Sequence, residues 1–376
     1  MEPKIIVALD SFKGCLTSTE ANQAAAEGII GKAAGAEVLQ IPVSDGGEGW
    51  LEAFRTATGG VTIELTVCDA LMRPVKAHYL INDETAVIEM AQASGLTLLP
   101  PEERNPMRTT SYGTGQLVAD AIRRGCRHII VGLGGSATSD CGIGMLHALI
   151  DNLTKHGTWN DLQALFTRQH SQQSSDGIRF TIATDVVNPL CGPHGAAHVF
   201  APQKMAPGQP EETTTAMVLS LDARAGRFAD VSARHFGYDR RNEPGAGAAG
   251  GLGYAFLQYM NATCRPGIDL LLDALGFDDL LSGASLVITG EGAADRQTLM
   301  GKLPFGILQR AQCQHVPVCL LAGRIADRQA LLDAGFSVVR CINPADLPTD
   351  EAMKPSVAKH NISAAVTSVL SSILTS

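Results

Sequence analysis

The chain of 376 residues is long enough for two domains, and with 45% hydrophobic and 18% charged residues it can bury a sizeable core. Its net charge of −9, without a long basic run, argues against nucleic acid or an anionic membrane surface as a partner and requires any anionic ligand to find local positive charge. No apolar run approaches transmembrane length, the start is too short for a signal segment, and nine scattered cysteines lack a C-x-x-C pair, so the expectation is a cytoplasmic protein with reduced thiols and no zinc site.

Lys4 to Asp10 reads as a buried parallel strand, followed by a helix from Thr19 to about Lys32 whose entry, Thr17-Ser-Thr-Glu20, has a capping-box pattern. A second strand, Glu37 to Val43, leads through Ser44-Asp-Gly-Gly-Glu-Gly49 to a helix from Trp50 to Ala57. From Val61 the character changes to short β-rich runs at 61–67, 75–81 and 86–90, which read as antiparallel hairpins. A helix at 115–124, a strand at 128–133, a helix at 142–153 and a strand at 179–183 follow. The polar stretch 154–176 reads as an exposed connection, 197–201 as a short strand, 212–237 as a helix and 244–253 as a glycine-rich turn. After Leu281 the alternation resumes with strands at 286–289, 316–321 and 337–342, helices at 303–313 and 326–334, and a closing helix at about 356–374 that covers the sheet.

This rhythm predicts an α/β fold: a flavodoxin-like, doubly wound parallel sheet of order 2-1-3-4-5, discontinuous over 1–58 and 285–376. A large second α/β domain with a mixed sheet, residues 59–284, interrupts it and carries the most distinctive segment of the chain.

That segment, 128–145, runs a buried strand into Gly134, Gly135, Ser136, Thr138 and Ser139, with a helix beginning near Asp140. Glycines admit a ligand close to backbone N–H groups, hydroxyls add donors, and a helix start adds partial positive charge, which suits a phosphate. A tight turn whose glycines serve only packing is the alternative. Around the switch point of the first sheet the sequence places Asp10, Ser11 and Lys13 after one strand and Glu291, Asp295, Arg296, Gln297 and Lys302 after another, flanked by Asp45, Gly46, Gly47 and Glu48. Lysines beside carboxylates suit phosphoryl chemistry, because lysine neutralises phosphate oxygens while carboxylates hold Mg²⁺; solvated charges and helix caps are the competing explanation for each residue singly. Asp185, at a strand tip before Asn188, could ligate a metal or take a proton from a substrate hydroxyl, an Asx-turn being the competing explanation, and Pro202-Gln-Lys204 offers another cation. The run Arg108 to Gly115 caps a helix or binds an anion. The G-x-G-x-x-G match within 244–253 has no preceding βαβ strand, so close packing or a hinge explains it better than a dinucleotide.

Taken together, Asp10-Ser-Phe-Lys-Gly14, Ser44-Asp-Gly-Gly-Glu-Gly49, Thr109-Thr-Ser-Tyr-Gly-Thr-Gly115, Gly132-Leu-Gly-Gly-Ser-Ala-Thr138, Asp185-Val-Val-Asn-Pro189, Pro202-Gln-Lys204, Pro244 to Gly253 and Val287-Ile-Thr-Gly-Glu-Gly292 resemble the class I bacterial glycerate kinases, in order and spacing, from residue 4 to about 345. The resemblance implies ATP- and Mg²⁺-dependent phosphorylation of glycerate, usually to 2-phosphoglycerate, by a flavodoxin-like domain interrupted by a second α/β domain. The chain departs from the family pattern at Ser139-Asp-Cys-Gly-Ile-Gly144, where Asn-Asp-Gly-Gly-Ala-Gly is common, so Cys141 and Ile143 are expected to add bulk to the anion loop. It departs again at Gly290-Glu-Gly-Ala-Ala-Asp-Arg-Gln297, where Gly-Glu-Gly-Arg-Ile-Asp-Ser-Gln is common, and at Met205, where glycine is usual.

The mechanism these residues imply closes two domains over ATP·Mg²⁺ and glycerate. Lys13 and Lys302 neutralise phosphate charge, Asp45 or Asp295 carries Mg²⁺, and Asp185 is the base near the substrate hydroxyl. Gly134, Gly135, Ser136, Thr138, Lys204 and Glu291 hold the nucleotide, with the Gly134–Ser136 loop open to either phosphates or the glycerate carboxylate, and Asp10, Ser11, Asp45, Gly47 and Glu48 contact the substrate. A kinase of a related small sugar acid and a non-catalytic sugar-acid or nucleotide-binding homologue are the alternatives; oligomerisation is open.

Overall fold

The computed structural model describes residues 2–12, 14–44, 49–167 and 177–373. Their strands, in chain order, are β1 (Lys4–Leu9), β2 (Glu37–Gln40), β3 (Val61–Cys68), β4 (Pro74–Asn82), β5 (Thr85–Glu89), β6 (His128–Gly132), β7 (Arg179–Ala183), β8 (Thr263–Arg265), β9 (Ala284–Ala294), β10 (Val318–Ile325) and β11 (Val338–Cys341). The chain divides into two compact units, Met1–Asp45 with Ile268–Ser376, and Gly46–Gly267.

The first unit is a five-stranded sheet of order β11-β10-β9-β1-β2 with every pair parallel, which in its own strand count is 2-1-3-4-5. The helix Ser18–Lys32 opens on a reciprocal cap: the Thr17 hydroxyl accepts from the Glu20 N–H while the Glu20 carboxylate accepts from the Thr17 N–H. That helix and the closing helix Pro355–Ile373 bury Ile29, Ile362 and Val366 against Ile5, Val7, Leu9 and Ile288. They cross so closely that a Cβ on Gly28 would lie 2.5 Å from the Ser363 carbonyl oxygen.

One element differs from the expected loop. β9 continues through Gly290–Ala294, because β10 also overruns its neighbours and keeps pairing, Ala293 with Arg324 and Ala294 with Ile325. Small side chains read as a loop in sequence, yet here they let the strands approach: a Cβ on Gly290 would meet the Leu321 carbonyl at 2.2 Å.

The second unit is a mixed six-stranded sheet, β3-β4-β5-β6-β7-β8, in which β3, β4 and β5 pair antiparallel and the remainder parallel. β8 completes an edge that the sequence did not announce. Its core combines Ile88, Val131 and Ile182 from the sheet with Leu117, Met145, Leu252 and Phe256 from helices.

The unit boundaries lie elsewhere than the expected 58/59 and 284/285. Helix Trp50–Thr58 belongs to the second unit, where the Leu51 N–H donates to Glu89 Oε1 and the Trp50 indole to the Gly267 carbonyl. Residues 268–283 belong to the first, where Arg310 pairs with Asp273 and Asp278 and Lys4 donates to the Leu280 carbonyl. These are contacts between distant stretches of chain, which periodicity cannot register.

Two further expectations are corrected. Of the segment 154–176, residues 168–176 lie outside the described residues and the described part is not a plain connection: Trp159–Thr167 is a helix, entered through Thr158, whose hydroxyl accepts from the Asp161 N–H, and anchored by Trp159 packing edge-on against Tyr259 and Phe236. The segment 197–201 is not a strand but lies largely within the short helix Ala196–Phe200, which packs Ala197 and Ala201 with Met205, Val218 and Leu221. Met205 therefore fills an apolar cluster at its unusual position.

The glycine-rich turn lies wholly in the second unit and is no hinge. It enters the helix Ala248–Met260 through left-handed Ala249, Gly250 and Gly251, and Gly250 sits so tightly on the Thr138 backbone that a Cβ there would come within 2.0 Å of its carbonyl oxygen.

Candidate active site

In the second unit, β6 and β7 are parallel neighbours, Gly132 opposite Ala183, so the loops that follow them leave the same sheet edge. The loop after β6 is pinned on both sides. The Leu96 N–H donates to the Gly135 carbonyl, the Ala137 N–H to the Ser94 carbonyl, and the Thr109 hydroxyl to the Ala137 carbonyl. Gly134 and Gly135 are exposed, Gly135 at φ 72°, and among the described residues neither N–H has a hydrogen-bond acceptor. With Ser136, Lys204, Val186 and Gln203 they line a cavity of about 230 Å³.

Lys204 is the defining group of that cavity. Its side chain is 4% exposed, and its ammonium donates to Ser136 Oγ and the Thr138 carbonyl, both at 2.7 Å. Among the described residues it has no carboxylate in ion-pair range, so burial pushes it down to about 7, opposed only by the more distant negative charge of Asp140. A buried ammonium with two of its three protons committed, in a cavity rimmed by free N–H groups, is arranged to receive an anion.

Asp140 explains what the sequence reading assigned to the helix start. Its Oδ2 accepts from the Ser111 N–H at 2.8 Å, the Ser111 hydroxyl at 2.9 Å and the Gly144 N–H at 3.1 Å, while Oδ1 accepts from the Gly142 N–H at 3.1 Å. Ser111 Oγ in turn accepts from the Met145 N–H. One carboxylate therefore ties the starts of the helices Tyr112–Arg123 and Ile143–Leu153, and the positive end expected to serve a ligand is already satisfied. The Arg108–Gly115 run is thus a capping segment.

The Thr138 hydroxyl points to the Ala249 carbonyl, and the buried Ser139 hydroxyl has no partner among the described residues; neither lines the cavity. Nor do Cys141 and Ile143, so they do not crowd the loop. Cys141 instead packs in the core at φ 57°, a left-handed position where glycine is common in the family pattern. Asp185 is exposed two residues beyond β7, next to Val186 on the cavity wall.

In the first unit, β1 and β9 pair Leu9 with Gly290, which brings Asp10, just past the end of β1, beside Glu291 within β9, and the Asp10 N–H donates to the Gly290 carbonyl. Asp10 is buried and accepts from the Ser11 N–H. Glu291 is 8% exposed, takes a 2.6 Å hydrogen bond from the Thr298 hydroxyl and has Lys302 Nζ at 3.6 Å. Burial raises its carboxyl above the ordinary range, against the lowering effect of Thr298 and Lys302. Asp295 caps the turn Arg296–Leu299, its Oδ1 accepting from the Gln297 N–H, and Arg296 is spent on an ion pair with Asp327. Lys13, Asp45, Gly46, Gly47 and Glu48 lie outside the described residues.

Among the described residues no cluster of three or more His, Cys, Asp or Glu side chains is disposed to hold a metal, and no helix is long and apolar enough to cross a membrane. The sequence reading did not notice Glu89, a buried carboxylate at the end of β5. Its signal was a charged residue closing an apolar strand.

A doubly wound parallel sheet in one unit and a mixed sheet in the other define an α/β protein. The model of the glycerate kinase family matches residues 5–374. Glycerate kinase of Bacillus subtilis is 40% identical over 93% of each chain, and glycerate 2-kinase of Escherichia coli 38% identical over 91% of this chain and 92% of that one. The crystal structure of a putative glycerate kinase 2 from Salmonella typhimurium, 34% identical, superposes with a TM-score of 0.79 over 100% of this chain and 99% of that one. The chain belongs to the glycerate kinase family and is an enzyme of that family.

Proposed function

We propose that the enzyme phosphorylates glycerate with ATP, giving 2-phosphoglycerate. Family membership supports the substrate, and the observation that carries the chemistry is Lys204, a buried ammonium facing a 230 Å³ cavity beside the open N–H groups of Gly134 and Gly135. That volume suits a three-carbon acid or a phosphoryl group.

In this reading Gly134, Gly135, Ser136 and Lys204 hold the anion, while Asp185 takes the proton from the C2 hydroxyl as that oxygen attacks the γ-phosphorus. The bond from phosphorus to the ADP oxygen breaks, and ADP leaves with the electron pair. Lys302, and Lys13 in the segment outside the described residues, neutralise phosphate charge; Asp10, Ser11, Gly47 and Glu48 orient the substrate, and Glu291 sits by the nucleotide phosphates. The carboxylates present fit Mg²⁺ that arrives on the nucleotide better than a preformed cage. Asp295, whose carboxylate also caps the turn Arg296–Leu299, would with Asp45 supply one or two oxygens, the usual protein share for this ion. When bound, Mg²⁺ screens the phosphate charge. With a small-molecule substrate and a net charge of −9, this reading assigns no role to nucleic acid or membrane and takes the enzyme as cytoplasmic.

A coupled ADP-release assay with D-glycerate tests this. Lys204→Met and Asp185→Asn are each expected to lose roughly 100-fold or more in kcat/KM, the scale set by a buried charge or a general base. Phosphorus NMR of the product is expected to show the 2-phosphate. Wild-type-like turnover in both variants would sink the assignment.

A further inference from the structure

A second, larger cavity, of about 710 Å³, opens in the first unit at the carboxyl ends of β9, β10 and β11, beside the segment that follows β1. Among the described residues it shares none of those assigned above to the substrate or the metal. Its place is the crevice where doubly wound sheets receive ligands. Its volume is that of a pocket for a drug-sized molecule, three times the cavity beside Lys204 and far beyond what a three-carbon acid fills.

Its walls combine two chemistries. Phe12, Ile325, Ile342, Leu347 and Met353 give apolar surface for a flat ring, whereas Arg324 and Arg328 bring two guanidinium groups to the same cavity. Both arginines are exposed, and among the described residues neither has a carboxylate or any other hydrogen-bond partner. The contrast with the other arginines of this unit is informative, since Arg296 pairs with Asp327 and Arg310 with Asp273 and Asp278. In a chain of net charge −9, two unneutralised guanidinium groups on an apolar cavity mark a ligand with an aromatic part and an anionic part.

We propose that this cavity binds the purine nucleotide that donates the phosphoryl group, with the base and ribose against the apolar wall and the phosphates toward Arg324 and Arg328. The proposal rests on the glycerate kinase reading and adds to it where the donor is recognised.

The test is calorimetric titration of the full chain with ADP, adenosine and inorganic pyrophosphate, beside steady-state kinetics. Arg324→Ala/Arg328→Ala is expected to weaken ADP binding and raise the KM for ATP roughly ten- to hundredfold, as loss of two charge-assisted contacts does, with the glycerate KM unchanged. Ala345→Trp, at an exposed position on the wall, is expected to block ADP and adenosine alike while leaving the fold intact by circular dichroism. Pyrophosphate binding as tightly as ADP would overturn the base-recognition part. Glycerate turnover with ADP affinity and ATP KM unmoved in both variants would overturn the cavity and leave the function standing. Arginine-dependent ADP binding without glycerate turnover would keep the cavity and overturn the function.

Discussion

The carboxyl edges of the two sheets handle charge in opposite ways. In the second unit the edge holds one cation, Lys204, buried without a carboxylate partner among the described residues and bonded to a hydroxyl and a carbonyl. In the first unit the edge holds a carboxylate, Glu291, equally buried but bonded by Thr298 and faced by Lys302. Desolvation disfavours the charged form of both: it lowers the lysine to about 7 and raises the glutamate. The lesson is that burial by itself does not make an anion site. A cation acquires one when its neighbours are neutral dipoles, whereas a carboxylate with its own lysine is largely compensated already.

The hardest break of this comparison is at Asp140, the charge that steadies both the Lys204 loop and two helix starts. Asp140→Ala leaves the Ser111, Gly142 and Gly144 N–H groups without their acceptor, and is expected to cost about 3–5 kcal/mol of the second unit's stability, measured by denaturant unfolding. Asp140→Asn keeps part of the bonding but removes the negative charge, so it should also lower the Lys204 titration further, read from the pH profile of anion binding. An unchanged profile in that variant would show that the aspartate does not act on the lysine.

Next in size is an opposite pH dependence of the two edges. Lys204 titrates below its unfolded value, so between about 7 and its ordinary value near 10.5 the unfolded chain binds the extra proton and stability rises with pH, by up to about 1.4 kcal/mol per pH unit. Below 7 both states carry the proton and the contribution is flat. Glu291 titrates above its unfolded value of 4.5, so in the window just above 4.5 the folded chain holds the extra proton and stability falls as pH rises. Urea midpoints across pH 4.5–9 for wild type, Lys204→Met and Glu291→Gln check both signs; each variant should lose its own slope and keep the other. The same lysine makes anion binding weaken as pH climbs above 7, because the bound anion must then recruit a proton.

The smallest effect belongs to Cys141. Its left-handed backbone favours glycine by about 1 kcal/mol, and Cys141→Gly gives back a similar amount in lost core packing. Net stability should move by less than about 1 kcal/mol, and the kinetics with glycerate should not change, since the thiol lines no cavity. A large kinetic effect would mean that the 139–144 segment does reach the substrate.

The sequence by itself determined the alternation of strands and helices, the parallel order of the first sheet, the hairpins of the second and the glycine loop after β6, because side-chain periodicity and turn chemistry are local properties. It also brought Gly134, Gly135, Ser136, Thr138, Lys204 and Glu291 under suspicion as a set. Only the tertiary structure decided what each polar group does. Asp140 and Ser111 lie 29 positions apart, and Lys204 and Ser136 lie 68 apart. Thr138 proved to be bound inward and Asp295 to cap a turn with one of its oxygens, while Arg324 and Arg328, unremarkable in sequence, proved to be cations without partners among the described residues. The physical reason is that a hydrogen bond, a desolvated charge or an unneutralised arginine is a property of the neighbours that folding brings together, and those neighbours are distant in the chain.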